Sequence, residues 1–162
     1  MLPLGLIITI HTLSTVGDIF PAPRAEVPPV SYFLAKTDPE SYAIEDLARD
    51  GTTTWDGVRN AQALAAIRSM RPGDPLLIYH SMGKAAIVGL AEVTSVPRVD
   101  PEDGKLWVVD VRYVGTFAEP VTLAEIKGTS QFDDWALVRQ SRLSTMAVPE
   151  GFVAWLRHKG VL

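Results

Sequence analysis

Three short segments hold the side chains best suited to chemistry: Trp55-Asp56-Gly57-Val58-Arg59-Asn60, Tyr79-His80-Ser81 and Val138-Arg139-Gln140-Ser141-Arg142-Leu143-Ser144. Between them they bring aromatic faces, planar or forked hydrogen-bonding groups and small hydroxyls from three distant parts of the chain. That mixture suits the grip of a flat, polar, aromatic ligand such as a nucleobase. An aromatic face supplies sequence-tolerant stacking of roughly 1–3 kcal/mol, while amide, guanidinium and hydroxyl groups read the base edge. The segments look less like a set of catalytic acids and bases.

Each residue also has a plainer structural reading. Trp55 could be a core anchor, as is expected for Trp107, Trp135 and Trp155, but its Asp-Gly-x-Arg-Asn neighbourhood is more polar than a core tryptophan needs. Gly57 lets the backbone turn tightly or lets a ligand approach it. Asn60, the only asparagine, stands where a helix begins and is a natural N-cap, a role compatible with ligand contact. Arg59 could meet phosphate, stack on a base or pair with a carboxylate. His80 and Ser81, with Asp56 as orienter, invite a hydrolase reading. However, adjacent residues of a strand point to opposite faces and the Gly-x-Ser-x-Gly turn is absent. Gln140 offers donor and acceptor and Arg142 a rigid fork, in what could equally be a solvated connection. Gly83-Lys84 lacks the glycine and hydroxyl of a phosphate loop, and no His-Glu-x-x-His or Gly-x-Gly-x-x-Gly occurs.

The 162 residues, 47% hydrophobic and 21% charged, fit one ordinary domain with an adequate core. With no cysteine, disulfides and thiolate metal sites are excluded, and the three scattered histidines have no zinc spacing. Neither a metal nor a cofactor is expected, nor any catalytic residue. A net charge of −4 and a pI near 5.3 argue against tracking of long phosphate backbones. They leave room for a local pocket that reads one nucleotide.

Residues 1–30 differ from the rest. Met1 to Ile10 is apolar but too short to span a bilayer, no Lys or Arg precedes Arg24, and four prolines follow by position 29. They read as a disordered leader or a misassigned start, with no membrane role, followed by a folded domain over 31–162. In that domain strands are expected at Tyr32–Ala35, Leu76–Tyr79, Ala85–Val93, Leu106–Val114 and Leu143–Val148. Helices are expected at Ile44–Arg49, Asn60–Met70 and from Pro149, with short helical or irregular pieces over Val121–Lys127 and Phe132–Leu137. Strands separated by loops and short helices predict a compact α+β barrel without βαβ alternation.

From about Tyr32 to Trp155 the chain closely resembles the EVE domain family of PUA-like folds. The resemblance rests on Tyr32-Phe33-Leu34-Ala35-Lys36-Thr37-Asp38-Pro39, Tyr42-Ala43-Ile44-Glu45-Asp46-Leu47, Trp55-Asp56-Gly57-Val58-Arg59-Asn60 and Tyr79-His80-Ser81. It extends through Ile87 to Val93, Trp107 to Val111 and Leu137 to Ser144, in order and spacing. Thr37-Asp38 stands where Ser-Glu is more usual, and the loop after Ser81 is short. The resemblance implies an α+β, strand-rich PUA-like pseudo-barrel of about five to six strands with short peripheral helices. It implies recognition of a modified base, such as a methylated or hydroxymethylated one, in DNA or RNA. The family is associated with modified cytosines, 5-methylcytosine among them. Carried over by position, the pocket would be lined from Lys36, Trp55, Arg59, Asn60, Tyr79, His80, Ser81, Arg139, Gln140 and Ser144. Trp55 would wall the base, Asn60 and Gln140 would read its edge, Ser81 and Ser144 would add hydroxyls, and Lys36 and Arg59 would hold phosphate or a base carbonyl. The expectation is a monomeric, non-catalytic, cytoplasmic or nucleoid-associated module whose partner is DNA or RNA, with a protein partner supplying further contacts. The alternative is a small enzyme acting on a nucleoside or nucleotide in the same pocket through Lys36, His80 or Asp56.

Overall fold

The computed structural model describes residues 29–162; the leader expected over 1–30 therefore lies, as far as residue 28, outside the described part. Seven strands run β1 (Phe33–Thr37), β2 (Thr52–Trp55), β3 (Pro75–His80), β4 (Ala86–Val93), β5 (Arg98–Val99), β6 (Trp107–Thr122) and β7 (Thr145–Ala147). Five helices are interleaved: α1 (Ile44–Asp50), α2 (Ala61–Ser69), α3 (Leu123–Gly128), α4 (Ala136–Arg139) and α5 (Glu150–His158). The expected strands and helices all form. Three strands exceed expectation: β2, the two-residue β5, and a β6 that passes through Gly115 to Thr122.

The sheet order is β2-β6-β4-β3-β1-β7, with β5 paired to β6. β1 and β3 are parallel, with Lys36 beside Tyr79 and Thr37 beside His80; β7 is antiparallel to β1, and β4 to β3 and β6. Three strands separate β2 from β1, so a flat sheet would hold them roughly 19 Å apart at the usual spacing. Instead the sheet curls into a half-barrel. Its irregularities account for the bend. Between Ile87 and Gly89 the β4 strand advances two residues while β6 advances five, from Thr116 to Val121, and a further bulge lies between Ile78 and Tyr79. Gly89 is required here. A Cβ on it would come 2.5 Å from the Gly115 carbonyl and 3.0 Å from the Ile44 side chain, so its absence lets β6 and α1 close on β4.

Local chemistry sets the helix ends. α1 stops at Gly51, whose φ of 76° is the left-handed conformation glycine adopts without cost. Asn60 caps α2, its Oδ1 accepting from the amides of Gln62 (2.8 Å) and Ala63 (3.1 Å), and Thr122 caps α3. α5 follows Pro149 and buries Phe152, Val153 and Leu156. Phe152 meets Phe132, Trp135 and Trp155 at centroid distances of 5.0, 4.6 and 5.4 Å, and the Trp135 indole donates to the Ala147 carbonyl at 2.9 Å. This aromatic cluster fixes α4 beside β7. As a consequence the turn from Gln140 to Ser144 lies against the end of β1. Among the described residues no helix is long and apolar enough to cross a membrane.

Candidate functional site

A cavity of about 290 Å³ opens where the C-terminal ends of β1 and β2 face each other across the half-barrel, lined by Lys36, Thr37, Asp38, Tyr42, Thr53, Trp55 and Asp56. β2 reads Thr-Thr-Thr-Trp, and its period of two places Thr53 and Trp55 on the partly buried face while Thr52 and Thr54 face out. On that outer face Thr54 Oγ1 donates to Asp110, which Arg98 also clasps at 2.8 and 3.0 Å. These bonds brace β2 and β5 against β6 from behind. The Trp55 indole packs against the core, and its Nε1 is hidden from solvent without a hydrogen-bond partner among the described residues.

Lys36 supplies the cavity's cation. Its Nζ donates to the main-chain carbonyls of Ser141 (3.2 Å) and Gln140 (3.4 Å) and lies 5.7 Å from the centroid of the Tyr79 ring, within cation–π range. Burial lowers its pKa below the usual lysine value. Tyr79, one strand over and 3% exposed, forms the floor beneath the ammonium, and burial raises its own pKa. The Lys36 amide donates to the Ser144 carbonyl at 2.7 Å, fastening the 140–144 turn to β1.

A further part of the lining is the turn between β1 and α1. Asp38 Oδ1 accepts from the Glu40 amide at 2.9 Å, and the Asp38 carbonyl accepts from the amides of Ser41 and Tyr42. Thr37 Oγ1 donates to the Tyr42 carbonyl at 2.7 Å. The Tyr42 hydroxyl donates to Asp50 at 3.0 Å, and burial leads the causes that raise its pKa. Asp38 and Asp56 add two carboxylates to the lining that holds the Lys36 cation.

The ten residues singled out from sequence divide into three groups. Lys36 and Trp55 line the cavity, and Tyr79 meets it only through its ring beside the Lys36 ammonium. Gln140 and Ser144 reach the site through main-chain carbonyls that bind Lys36, while Ser81 donates its amide (3.0 Å) and hydroxyl (3.2 Å) to the Thr37 carbonyl at the rim. The other four are engaged outside the cavity lining. Arg59 lies 3.6 Å from Asp103, Asn60 caps α2, and Arg139 holds the Asp133 carbonyl and the Asp134 carboxylate. His80 Nε2 accepts from the Ile44 amide at 3.0 Å. His80 and Ser81 thus have different partners, and no His–Ser dyad forms.

Sequence reasoning on single segments missed Thr37, Asp38, Tyr42 and Thr53 as cavity residues. The alternation in Thr52–Trp55 could have flagged Thr53 as the same-face neighbour of Trp55. A larger hollow, about 650 Å³, lies at the other end of β1 among Tyr32, Phe33, Val148, Val153 and Arg157. It holds none of the ten; its polar side chains are Ser31, Tyr32, Ser69, Glu150 and Arg157, and the Arg157 guanidinium is occupied over the Tyr32 ring at 5.8 Å. Among the described residues no cluster of three or more metal-ligating side chains occurs.

A family model described as EVE domain matches residues 31–159. Thymocyte nuclear protein 1 of Homo sapiens is 35% identical to this chain over 129 residues, 57% of that protein's length. The chain thus spans a little over half the length of the curated relatives it matches. Among solved structures, Rpa0253 from Rhodopseudomonas palustris superposes with a TM-score of 0.76 at 34% identity, covering 82% of this chain and 95% of that one. Human THYN1 protein, solved in complex with DNA containing 5-methylcytosine, superposes with a TM-score of 0.69 at 28% identity, covering 78% of this chain and 96% of that one.

Proposed function

The chain belongs to the EVE domain family, and on that premise we propose that it is a non-catalytic module that takes one methylated base of DNA, a 5-methylcytosine, out of the stack and into the cavity between Lys36 and Trp55. The observation that carries this reading is the composition of that cavity: one aromatic wall, one cation pinned by main-chain carbonyls and two carboxylates at the mouth. Its volume lies at the low end for ligand sites, the scale of a single base rather than a dinucleotide. A cytosine offers an exocyclic amine that a carboxylate can accept from and a carbonyl that an ammonium can donate to. In this reading Asp38 or Asp56 and Lys36, which share the cavity lining, make these contacts, and the apolar indole of Trp55 suits the methylated ring. The DNA complex of the human relative supports the same ligand class.

Energetics favour a pocket over a groove. Extruding a base costs a few kcal/mol, and stacking against an aromatic wall returns roughly 1–3 kcal/mol of it. With a net charge of −4 the surface adds little non-specific attraction to phosphates, so discrimination rests on the cavity. The enzymatic alternative needs a free general base at the ligand. His80, its histidine candidate, has its Nε2 bonded to the Ile44 amide.

The test is fluorescence anisotropy of the full chain at fixed salt against matched oligonucleotides. The set covers single- and double-stranded DNA and RNA, each with unmodified, methylated or hydroxymethylated cytosine. Preference for the methylated DNA that disappears in Trp55→Ala is the expected result. Equal affinity across the set, or stronger binding of RNA, overturns the assignment.

A further inference from the structure

We infer that His80 is a positioning residue for the ligand cavity: its neutral imidazole caps helix α1 and so holds the β1–α1 turn that forms one cavity wall. The inference rests on the base-reading assignment only for its ligand-binding arm.

The residue before α1 is Ala43, whose side chain can accept no hydrogen bond. Its position therefore leaves the first helical amides without the usual side-chain acceptor. Asp46 Oδ2 accepts from the Ala43 amide at 2.8 Å, which is the backward half of a capping box only. The amide of Ile44, the first helical residue, is taken up from β3 instead: His80 Nε2 accepts from it at 3.0 Å. Acceptance requires an unprotonated Nε2, hence a neutral ring carrying its proton on Nδ1. The cap sits beside the cavity because His80 is the parallel register partner of Thr37. Thr37 lines the cavity and bonds Tyr42, the last cavity residue before α1. Gly89 leaves the room for Ile44 to approach the sheet.

The surroundings favour the neutral ring. Burial lowers the His80 pKa below the usual histidine value, and the Glu45 carboxylate on α1 opposes that shift to a lesser extent. The register neighbours on either side, Thr37 on β1 and Ala86 on β4, are not titratable. Protonation replaces the acceptor by a donor facing a donor, at a helix N-terminus that already repels positive charge. The sign follows. With the folded-state pKa depressed, the contribution of His80 is full above about pH 6.5, the unfolded value, and is lost as pH falls through the folded pKa.

The experiment compares wild type, His80→Gln and His80→Ala from about pH 7.5 to pH 5, bracketing the histidine range. Glutamine places Oε1 near the Nε2 position and does not titrate. The first readout, independent of any ligand, is amide exchange at Ile44. Wild type is expected to lose protection on acidification, His80→Gln to keep it throughout, and His80→Ala to lack it at both ends. The second is the Kd for a short single-stranded DNA carrying one 5-methylcytosine. Wild type is expected to weaken roughly fivefold at the acidic end, the equivalent of one lost cap, while His80→Gln stays flat. Ile44 protection that ignores pH in wild type, or a His80→Gln variant that behaves as His80→Ala, overturns the proposal. Wild type that binds no methylated oligonucleotide at neutral pH counts against the base-reading assignment alone, and the exchange readout still decides the role of His80.

Discussion

The ammonium of Lys36 donates to the main-chain carbonyl of Ser141 across 3.2 Å, tying the end of β1 to a turn 105 residues later in the chain. The bond has a structural cause on each side. The aromatic cluster of Phe132, Trp135, Phe152 and Trp155 sets α4, and with it the carbonyls at the helix's C-terminal end; the Tyr79 ring supports the ammonium from the neighbouring strand. Two carbonyls and a ring hold the lysine without neutralising it, so its full charge remains to meet a ligand.

Replacing Lys36 by glutamine is therefore expected to weaken binding of a 5-methylcytosine oligonucleotide by tenfold or more, since hydrogen bonds to charged groups contribute about 1.5–3 kcal/mol. Salt titration separates two uses of the charge. A salt slope smaller by about one marks a phosphate contact, whereas an unchanged slope marks a base carbonyl. Because burial lowers the Lys36 pKa, its charge is lost on the alkaline side before that of surface lysines, and wild-type affinity should fall there in parallel.

Trp55 separates wall from hydrogen bond. Its Nε1 has no partner among the described residues, so Trp55→Phe removes an unsatisfied donor and should leave Tm unchanged or higher. Trp55→Ala should cost roughly 1–3 kcal/mol of stability, because only part of the indole is buried, and should abolish selective binding. Thermal melts beside anisotropy read both. A large loss of stability in Trp55→Phe would show that the indole N–H is satisfied after all.

The fold was legible in the sequence where pattern and punctuation agreed. The apolar run at Leu76–Tyr79, the helical period after Asn60 and the Pro149 start of α5 all occur close to their expected bounds. The EVE motif order supplied the architecture that local patterns could not, since nothing in Thr52–Trp55 by itself says it will face β1. Site assignment was harder for a physical reason. Proximity in the sequence to Trp55 marked Arg59 and Asn60, yet Gly57, at a φ of 69°, turns the chain there. Asn60 then sits at the start of α2 and Arg59 beside Asp103. Gln140 and Ser144 reach the site by their carbonyls, which carry no side-chain signature at all. Asp38 and Tyr42 lay within the family motif but gave no sign of facing a cavity until the β1–α1 turn was seen.

Asn60 tests the distinction between cap and reader. Asn60→Ala should cost about 1 kcal/mol through loss of the two amide bonds, a drop of roughly 3–5 °C in Tm. Asn60→Asp should restore most of that stability, because a carboxylate also caps. If the residue works only as a cap, affinity for methylated DNA measured well below the melting temperature stays within about twofold in both variants. A tenfold loss in Asn60→Asp with stability intact would instead return Asn60 to the ligand.

Gly89 couples the bend of the sheet to the cavity wall. In Gly89→Ala the new methyl would stand 2.5 Å from the Gly115 carbonyl, a rigid main-chain atom, and 3.0 Å from the Ile44 side chain. The strand cannot yield without undoing the irregular pairing of β4 with β6, and overpacking of this kind typically costs about 1–3 kcal/mol. The displacement would also push α1 away from His80 and with it the turn carrying Asp38 and Tyr42. The expected result is a lowered Tm together with faster amide exchange at Ile44 and weaker ligand binding. Gly115→Ala, where a Cβ meets nothing within 4 Å, is the control and should change none of the three by a comparable amount. Equal effects from the two substitutions would mean that backbone conformation, not the close approach at Gly89, is what the sheet requires.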